Sequence, residues 1–289
     1  MKTSVSTKVR ASTELVRMDL ALGAGFFFIA GEILAFGGLP PLNSVFFGFL
    51  TLFFISGSAN ISNDFFDREV DRVNLPSRPL PSGRISVREL CVLFLLFSAA
   101  GLVCSAFLGP LVFGLVFICW FVALLYNMKL KESGFFGNLV VAFCIAMTFI
   151  LGGLAAGTVN GMILTFAALA FFFDLGLEIA SDAMDVKGDA VRSSKSVANK
   201  KGRKYAIRVS GVMLSVFFLL TLVPYAMGWL GYGYLILIAL ADIWMVYCAI
   251  NLMRSRTIKE GRKHIRRLYL TWGLFVIVFT LARLFVNSV

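Results

Sequence analysis

Charge is scarce in this chain: of its 289 residues only 15% are Asp, Glu, Lys or Arg, where an ordinary soluble domain carries about a quarter. With 59% hydrophobic residues there is more apolar surface than one globular core can bury, which excludes a soluble single-core protein. Histidine is almost missing. The one present, His264, stands in a basic stretch and cannot by itself build a histidine metal centre. The five cysteines (Cys91, Cys104, Cys119, Cys144 and Cys248) all lie in apolar runs without metal-ligand spacing, so they imply neither a disulfide framework nor a thiolate cluster. Acidic residues are the minority sign, 16 against 27 Lys and Arg, for a formal net charge of +11. In a soluble protein that excess would suggest nucleic acid. Here its distribution has another cause.

What the chain has in quantity is apolar runs. They recur near 18–38, 42–62, 88–108, 110–127, 136–156, 161–181, 206–229, 232–252 and 266–286. Each is about 20 residues, the length a helix needs to cross a bilayer. The expected fold is all-α: a polytopic membrane protein with nine transmembrane helices in one domain. Residues 1–17 are polar and basic, lack the features of a signal peptide, and are expected to form a cytoplasmic tail. Lys and Arg fall in that tail and in the 64–88, 128–135, 182–208 and 254–267 connections, while the four intervening connections carry none. This positive-inside asymmetry accounts for the net charge, and no nucleic-acid partner is needed. It puts the N-terminus inside and the C-terminus outside a cell membrane, with Arg283 the one basic residue on the far side.

Two polar cassettes break the pattern. In the first, NDFFDREVDRVNLPSRPLPSGRIS (63–86), Asn63, Asp67 and Asp71 follow one another at four-residue spacing. On a helix they fall within roughly 80° of arc. Such a stripe of oxygen donors suits a hard divalent cation such as Mg2+. Arg72, Arg78, Arg84 and Arg88 follow, in a segment that Pro76, Pro79, Pro81 and Gly83 turn into a structured loop. Acid followed by base suits a metal-bridged anion. In the second, DLGLEIASDAMDVKGD (174–189), Asp174, Glu178, Asp182, Asp185 and Asp189 are spaced 4, 4, 3 and 4, again one helical face, followed by Lys187, Arg192 and Lys195. The cassettes follow the second and sixth spans, so 18–135 and 136–260 are candidate diverged four-helix repeats with a ninth helix appended. Both fall on the cytoplasmic side. Acidic residues at membrane depth are few: Glu32, Asp174, Glu178 and Asp242. Each should face the bundle interior rather than lipid.

NDFFDREVD with RPLPSGRIS resembles the NDxxDxxxD signature of the UbiA superfamily of intramembrane prenyltransferases, and DAMDVKGD its second motif, DxxDxxxD. YNMKLKESGFFGN resembles the family's Tyr/Lys/Gly-Asn segment after the fourth span. The likeness covers essentially the whole chain, and the wording of the first motif is most similar to the archaeal digeranylgeranylglyceryl phosphate synthases. The resemblance implies that Asn63, Asp67 and Asp71 hold one Mg2+ and Asp182, Asp185 and Asp189 a second. The two ions would bridge the diphosphate of a prenyl donor, with geranylgeranyl diphosphate expected. Asp67, Asp71, Asp182, Asp185 and Asp189 are the implied catalytic set. Arg72, Arg78, Lys129, Lys131 and Lys195 are implied diphosphate contacts, and Tyr126 and Asn138 shape the site. Asp174 and Glu178 extend the second stripe toward a lipophilic acceptor. One departure stands out: where the family often has Arg-x-x-Asn, Arg17 is followed by Met18, Asp19 and Leu20.

The chemistry agrees with that likeness. Cleaving an allylic carbon–oxygen bond builds negative charge on the leaving diphosphate, which metals and cations stabilise, and the allylic cation must be shielded from water. For a glycerol hydroxyl acceptor, Asp174, Glu178 or Asp64 are candidate bases. Geranylgeranylglyceryl phosphate is the expected acceptor; an aromatic acceptor such as 4-hydroxybenzoate, a quinone precursor or a porphyrin is the alternative. A cation or anion transporter is a third reading, but it calls for broken or charged segments near the bilayer midplane, whereas both cassettes sit at one face.

Overall fold

A computed structural model describes residues 5–189 and 195–285, leaving aside the side chains of Val5, Asn74 and 185–189. The expected all-α architecture is what it shows. Among the described residues nine helices are long and apolar enough to cross a membrane, and each matches one of the expected runs. They lie within α2 (Met18–Phe36), α3 (Leu42–Phe66), α5 (Val87–Ala106), α6 (Pro110–Met128), α7 (Phe135–Ala155), α8 (Gly161–Asp189), α10 (Arg203–Leu220) continued by the short α11 (Val223–Ala226), α12 (Tyr232–Arg254) and α13 (Ile258–Phe285). Three shorter helices complete the set: α1 (Val5–Val16), α4 (Arg68–Asn74) and α9 (Val197–Lys201). A 3-10 turn spans Leu130–Ser133.

Large apolar side chains stand exposed midway along several helices, among them Leu95, Leu96, Ile236, Leu240 and Ile243. Water would not tolerate that surface, but hydrocarbon would, so the outside of the bundle is the lipid-facing surface of a multi-pass membrane protein. Inside, the helices meet through small residues. A Cβ on Gly31 of α2 would come within 2.4 Å of the Phe149 carbonyl oxygen on α7, and one on Gly152 of α7 within 2.1 Å of that of Phe28. The two backbones therefore touch where no side chain stands, which is how helices associate without a hydrophobic drive between them.

Residues 1–17 were expected to be a polar tail. The structure instead makes Val5–Val16 a helix, with Ala11, Leu15 and Val16 buried among Ala21, Ile61, Ile85 and Leu90. The buried positions recur at four and one, an amphipathic pattern too sparse to register among so many polar neighbours. Ion pairs from Glu14 to Arg84 (2.7 Å) and from Lys8 to Glu89 clamp α1 onto the loop before α5 and onto the first turn of α5. Arg84 holds the Glu14 carboxyl below its ordinary value, chiefly through that hydrogen bond. The loop itself ends in a capping box in which Ser86 accepts from the Glu89 N–H and the Glu89 carboxylate accepts from the Ser86 N–H, opening α5.

Candidate active site at the basic end of the bundle

The first stripe survives a change of helix. α3 ends at Phe66 and α4 begins at Arg68, yet the Asp67 N–H donates to the Asn63 carbonyl at 2.9 Å and the Asp71 N–H to that of Asp67 at 2.8 Å. The four-residue ladder thus runs through the junction and keeps Asn63, Asp67 and Asp71 on one face. Asp64, Asp67 and Asp71 are all buried.

Each carboxylate of this stripe is met by a cation from a different element. Lys131 Nζ donates to Asp67 Oδ2 at 2.6 Å. Arg78 Nη1 donates to Asp71 Oδ2 at 2.8 Å and to Asp64 Oδ1 at 3.1 Å. Arg17 Nη2 donates to Asp64 Oδ1 at 2.9 Å and to Asn63 Oδ1 at 3.1 Å. Burial raises the Asp71 carboxyl above its ordinary value; the charge and hydrogen bond of Arg78 pull it part of the way back, while Asp67 and Asp64 push it up. Asn63 is oriented from its other side as well, its amide donating to Asn127 Oδ1 at 3.1 Å. Asn127 is fixed in turn by donating to Ser62 Oγ and to the Ala59 carbonyl.

The second stripe lies on the single helix α8, which carries Asp174, Glu178, Asp182, Asp185 and Asp189. Asn138 of α7 donates to Asp182 Oδ2 at 2.9 Å, and Tyr269 of α13 donates its hydroxyl to Asp174 Oδ1 at 3.1 Å. The side chains of Asp185 and Asp189 lie outside the described residues, as does Arg192. Tyr126, near the C-terminal end of α6, sits within electrostatic reach of Glu178, Asp182, Asp67 and Asp174. Carboxylates of both stripes act on this one phenol through their charge, so the two cassettes face a common region.

Not every expected residue arrives there. Arg72 follows Asp71 by one position, about 100° around the helix, and so leaves the stripe for solvent, where it pairs with Glu69 at 2.8 Å. Lys129 is exposed, in contrast to Lys131 two residues on. Lys195 points its side chain outward, but its backbone N–H donates to the Glu132 carbonyl at 3.0 Å. A Cβ on Gly134 would meet the Lys195 carbonyl oxygen at 2.0 Å, and Gly134 has a φ of +70°. Only glycine closes this contact between the 130–134 turn and the strand of chain leading to α9. Conversely Arg17, Asn127 and Tyr269 take part without having been expected. Arg17 does so with a φ of +51°, the only positive φ off glycine among the described residues.

The donor set fits a hard divalent ion. Its atoms are carboxylate and amide oxygens, buried or half-buried and already paired with cations, so that an ion entering would take over charge balance that Lys131 and Arg78 now supply. Among the described residues no three His, Cys, Asp or Glu side chains converge into a ready metal-ligating group.

The UbiA prenyltransferase family model matches residues 24–274. The digeranylgeranylglyceryl phosphate synthase of Thermococcus kodakarensis is 31% identical over 275 residues, covering 95% of this chain and 98% of that one. A solved structure described as a digeranylgeranylglyceryl phosphate synthase in membranes superposes with a TM-score of 0.73 at 27% identity, covering 96% of this chain and 99% of the other. The fold is shared also with a UbiA homolog from Archaeoglobus fulgidus bound to GPP and Mg2+, at a TM-score of 0.71 and 19% identity, over 96% of this chain and all of that one. Matched over most of its length by the family model and nearly end to end by a curated relative, the chain belongs to the UbiA prenyltransferase family and is a prenyltransferase.

Proposed function

We propose that the protein transfers a geranylgeranyl group from geranylgeranyl diphosphate to the free hydroxyl of geranylgeranylglyceryl phosphate, at the cytoplasmic end of the bundle, with two Mg2+ ions. The observation that carries this reading is Tyr126 within reach of Asp67 on one stripe and of Glu178 and Asp182 on the other. The names of the relatives supply the acceptor, and the GPP and Mg2+ bound to the Archaeoglobus fulgidus homolog support the donor class and the metal.

Asn63, Asp67 and Asp71 would hold one ion, and Asp182, Asp185 and Asp189 the other. Bound there, the ions supply Lewis-acid stabilisation of the leaving diphosphate. Lys131 and Arg78, released from their carboxylates, would turn to the diphosphate oxygens. The apolar wall of the bundle keeps water from the allylic carbon. The carbon–oxygen bond to diphosphate breaks to leave the allylic cation, the acceptor oxygen then forms its bond to that carbon, and the hydroxyl proton passes to a carboxylate. Glu178 suits that role: it lies one turn below Asp182 on the same face of α8 and is less buried than Asp174. Asp64 does not, because Arg17 and Arg78 both occupy its Oδ1.

The test is purified protein in lipid with Mg2+ and geranylgeranyl diphosphate, offered geranylgeranylglyceryl phosphate or 4-hydroxybenzoate, with product identified by mass. Product is expected with the glycerol phosphate and lost on chelation, in Asp67→Ala and in Asp182→Ala. Product with the aromatic acceptor alone would replace this acceptor with an aromatic one.

A further inference from the structure

A cleft of about 290 Å³ opens between α2, α8 and α13, with none of the stripe carboxylates in its lining. Asp19 and Leu20 of α2, Ser181 of α8, and Arg262, Arg266 and Tyr269 of α13 line it. We infer that Arg262 and Arg266 form the subsite for the phosphate of the acceptor, a phosphomonoester at the head of a prenylated glycerol. The inference rests on the acceptor proposed above.

Depth along the helices supports it. Tyr269 and Asp174 are in contact, which fixes the register of α13 against α8. Seven residues along α8 from Asp174 stands Ser181, and seven residues back along α13 from Tyr269 stands Arg262, each displaced by about 10 Å toward the same end. Both line the cleft, as that register requires. Arg262 and Arg266 therefore lie level with Glu178 and Asp182, the depth at which the donor diphosphate would be held. In the acceptor, only three atoms separate the phosphorus from the attacking oxygen, so a phosphate subsite has to stand at that depth and beside the reacting centre. Tyr269 lines the cleft and reaches from its wall to Asp174 of the second stripe.

Charge and access agree. Arg262 and Arg266 are one turn apart on one face of α13, both exposed at the basic end, with Asp19 opposite. The lining carries two guanidinium groups and one carboxylate. Two guanidinium forks match the oxygens of a phosphomonoester, which carries nearly two negative charges near neutral pH. Their position at the end of the spans lets an amphiphile keep its chains in hydrocarbon while its phosphate meets the arginines.

The experiment uses full-length protein in phosphatidylcholine vesicles and compares kcat/KM for geranylgeranylglyceryl phosphate with that for geranylgeranylglycerol, which lacks the phosphate. The wild type is expected to prefer the phosphorylated acceptor. In the double variant Arg262→Gln/Arg266→Gln that preference is expected to fall at least tenfold, through the KM of the phosphorylated acceptor. Arg254→Gln, which removes an equal charge elsewhere at the same end, is expected to retain it. A preference unchanged in the double variant overturns the subsite. If phosphatidylglycerol added to the vesicles inhibits the wild type but not a double variant with unchanged preference, the arginines bind bilayer phospholipid instead. Failure of the wild type to prenylate either glycerol acceptor overturns the acceptor reading itself, and the subsite with it.

Discussion

Asn138 Nδ2 holds Asp182 Oδ2 at 2.9 Å, as Lys131 holds Asp67 of the first stripe. Asn138 is buried on α7, the helix that packs against both α2 and α8, so it transmits the position of the α2–α7 seam to the second stripe. Groups that orient metal-ligating carboxylates typically affect metal affinity or activity by about 10–100-fold. Asn138→Ala is therefore expected to raise the Mg2+ concentration needed for half-maximal turnover by roughly that factor. Thermal stability in detergent should fall by about 1–3 kcal/mol, because a buried hydrogen-bonding side chain is lost, so the Mg2+ titration and not the melting temperature is the reading that reports on Asp182. An unchanged Mg2+ titration would show that Asp182 is held by other means.

The α2–α7 seam is itself testable. Gly152→Ala puts a methyl group where the Phe28 carbonyl oxygen stands at 2.1 Å from the ideal Cβ. Backbone cannot move aside as a side-chain tip does, so the helices must separate, at a cost of about 1–3 kcal/mol for overpacking. Gly23→Ala on the same α2 meets nothing within 4 Å and is the control, expected to be neutral or slightly stabilising through helix propensity. The melting temperatures of the two variants, measured in one detergent, should differ clearly and in that order.

Gly134→Ala tests whether the second cassette's connection is clamped to the 130–134 turn. The substitution faces both a φ of +70° and the Lys195 carbonyl oxygen, so the turn and the segment at Lys195 must part. The expected outcome is a loss of turnover larger than the loss of stability, since the spans themselves are untouched while Lys131, three residues away, is displaced from Asp67. Equal turnover with a lowered melting temperature would make the clamp purely structural.

How much of this was readable beforehand depended on whether a feature is local. The nine spans follow from hydropathy, and both carboxylate stripes follow from spacing on a helix, because neither needs a distant partner. Arg72 was misplaced because its class was right and its angle wrong: next to Asp71 in sequence is 100° away on the helix, whereas Arg78, seven residues on, returns through the proline-bounded loop. The tie of Tyr269 to Asp174 spans 95 residues and leaves no periodic trace. The docking of α1 was hidden for another reason. Three buried residues among twelve do not stand out where the rest of the chain is far more apolar.

The clamp on α1 is pH-dependent in a defined direction. Glu14 is held below its ordinary value by Arg84, so its contribution is fully present above the unfolded carboxylate range and is lost as pH falls through the lowered value. The pair is partly exposed, so the effect is modest and weakened by salt. Hydrogen exchange in α1 is expected to rise, relative to α3, between pH 6 and the acid side of that window. In Glu14→Gln it should already be raised at pH 6, with no further pH-dependent change.

Arg17 joins the docked helix to the site. Its backbone is left-handed, costing about 1–2 kcal/mol for a residue with a Cβ, while its guanidinium bridges Asn63 and Asp64. Arg17→Gly removes the strain and the bridge together. Asp64 keeps Arg78 as a partner, so the lost charge-assisted hydrogen bonding, about 1.5–3 kcal/mol, is largely offset by the about 1–2 kcal/mol of relieved backbone. Stability is therefore expected to move by no more than about 1 kcal/mol. Turnover is a different matter. With Arg17 gone, Arg78 carries Asp64 alone and is drawn away from Asp71, and Asn63 Oδ1 loses the donor that aims it. Turnover should fall by at least tenfold with the melting temperature nearly unchanged. Arg17→Lys, which restores charge without a fork able to bridge two acceptors, should recover only part of it. A glycine variant with full turnover would mean that the left-handed backbone at Arg17 serves only to turn the chain from α1 into α2.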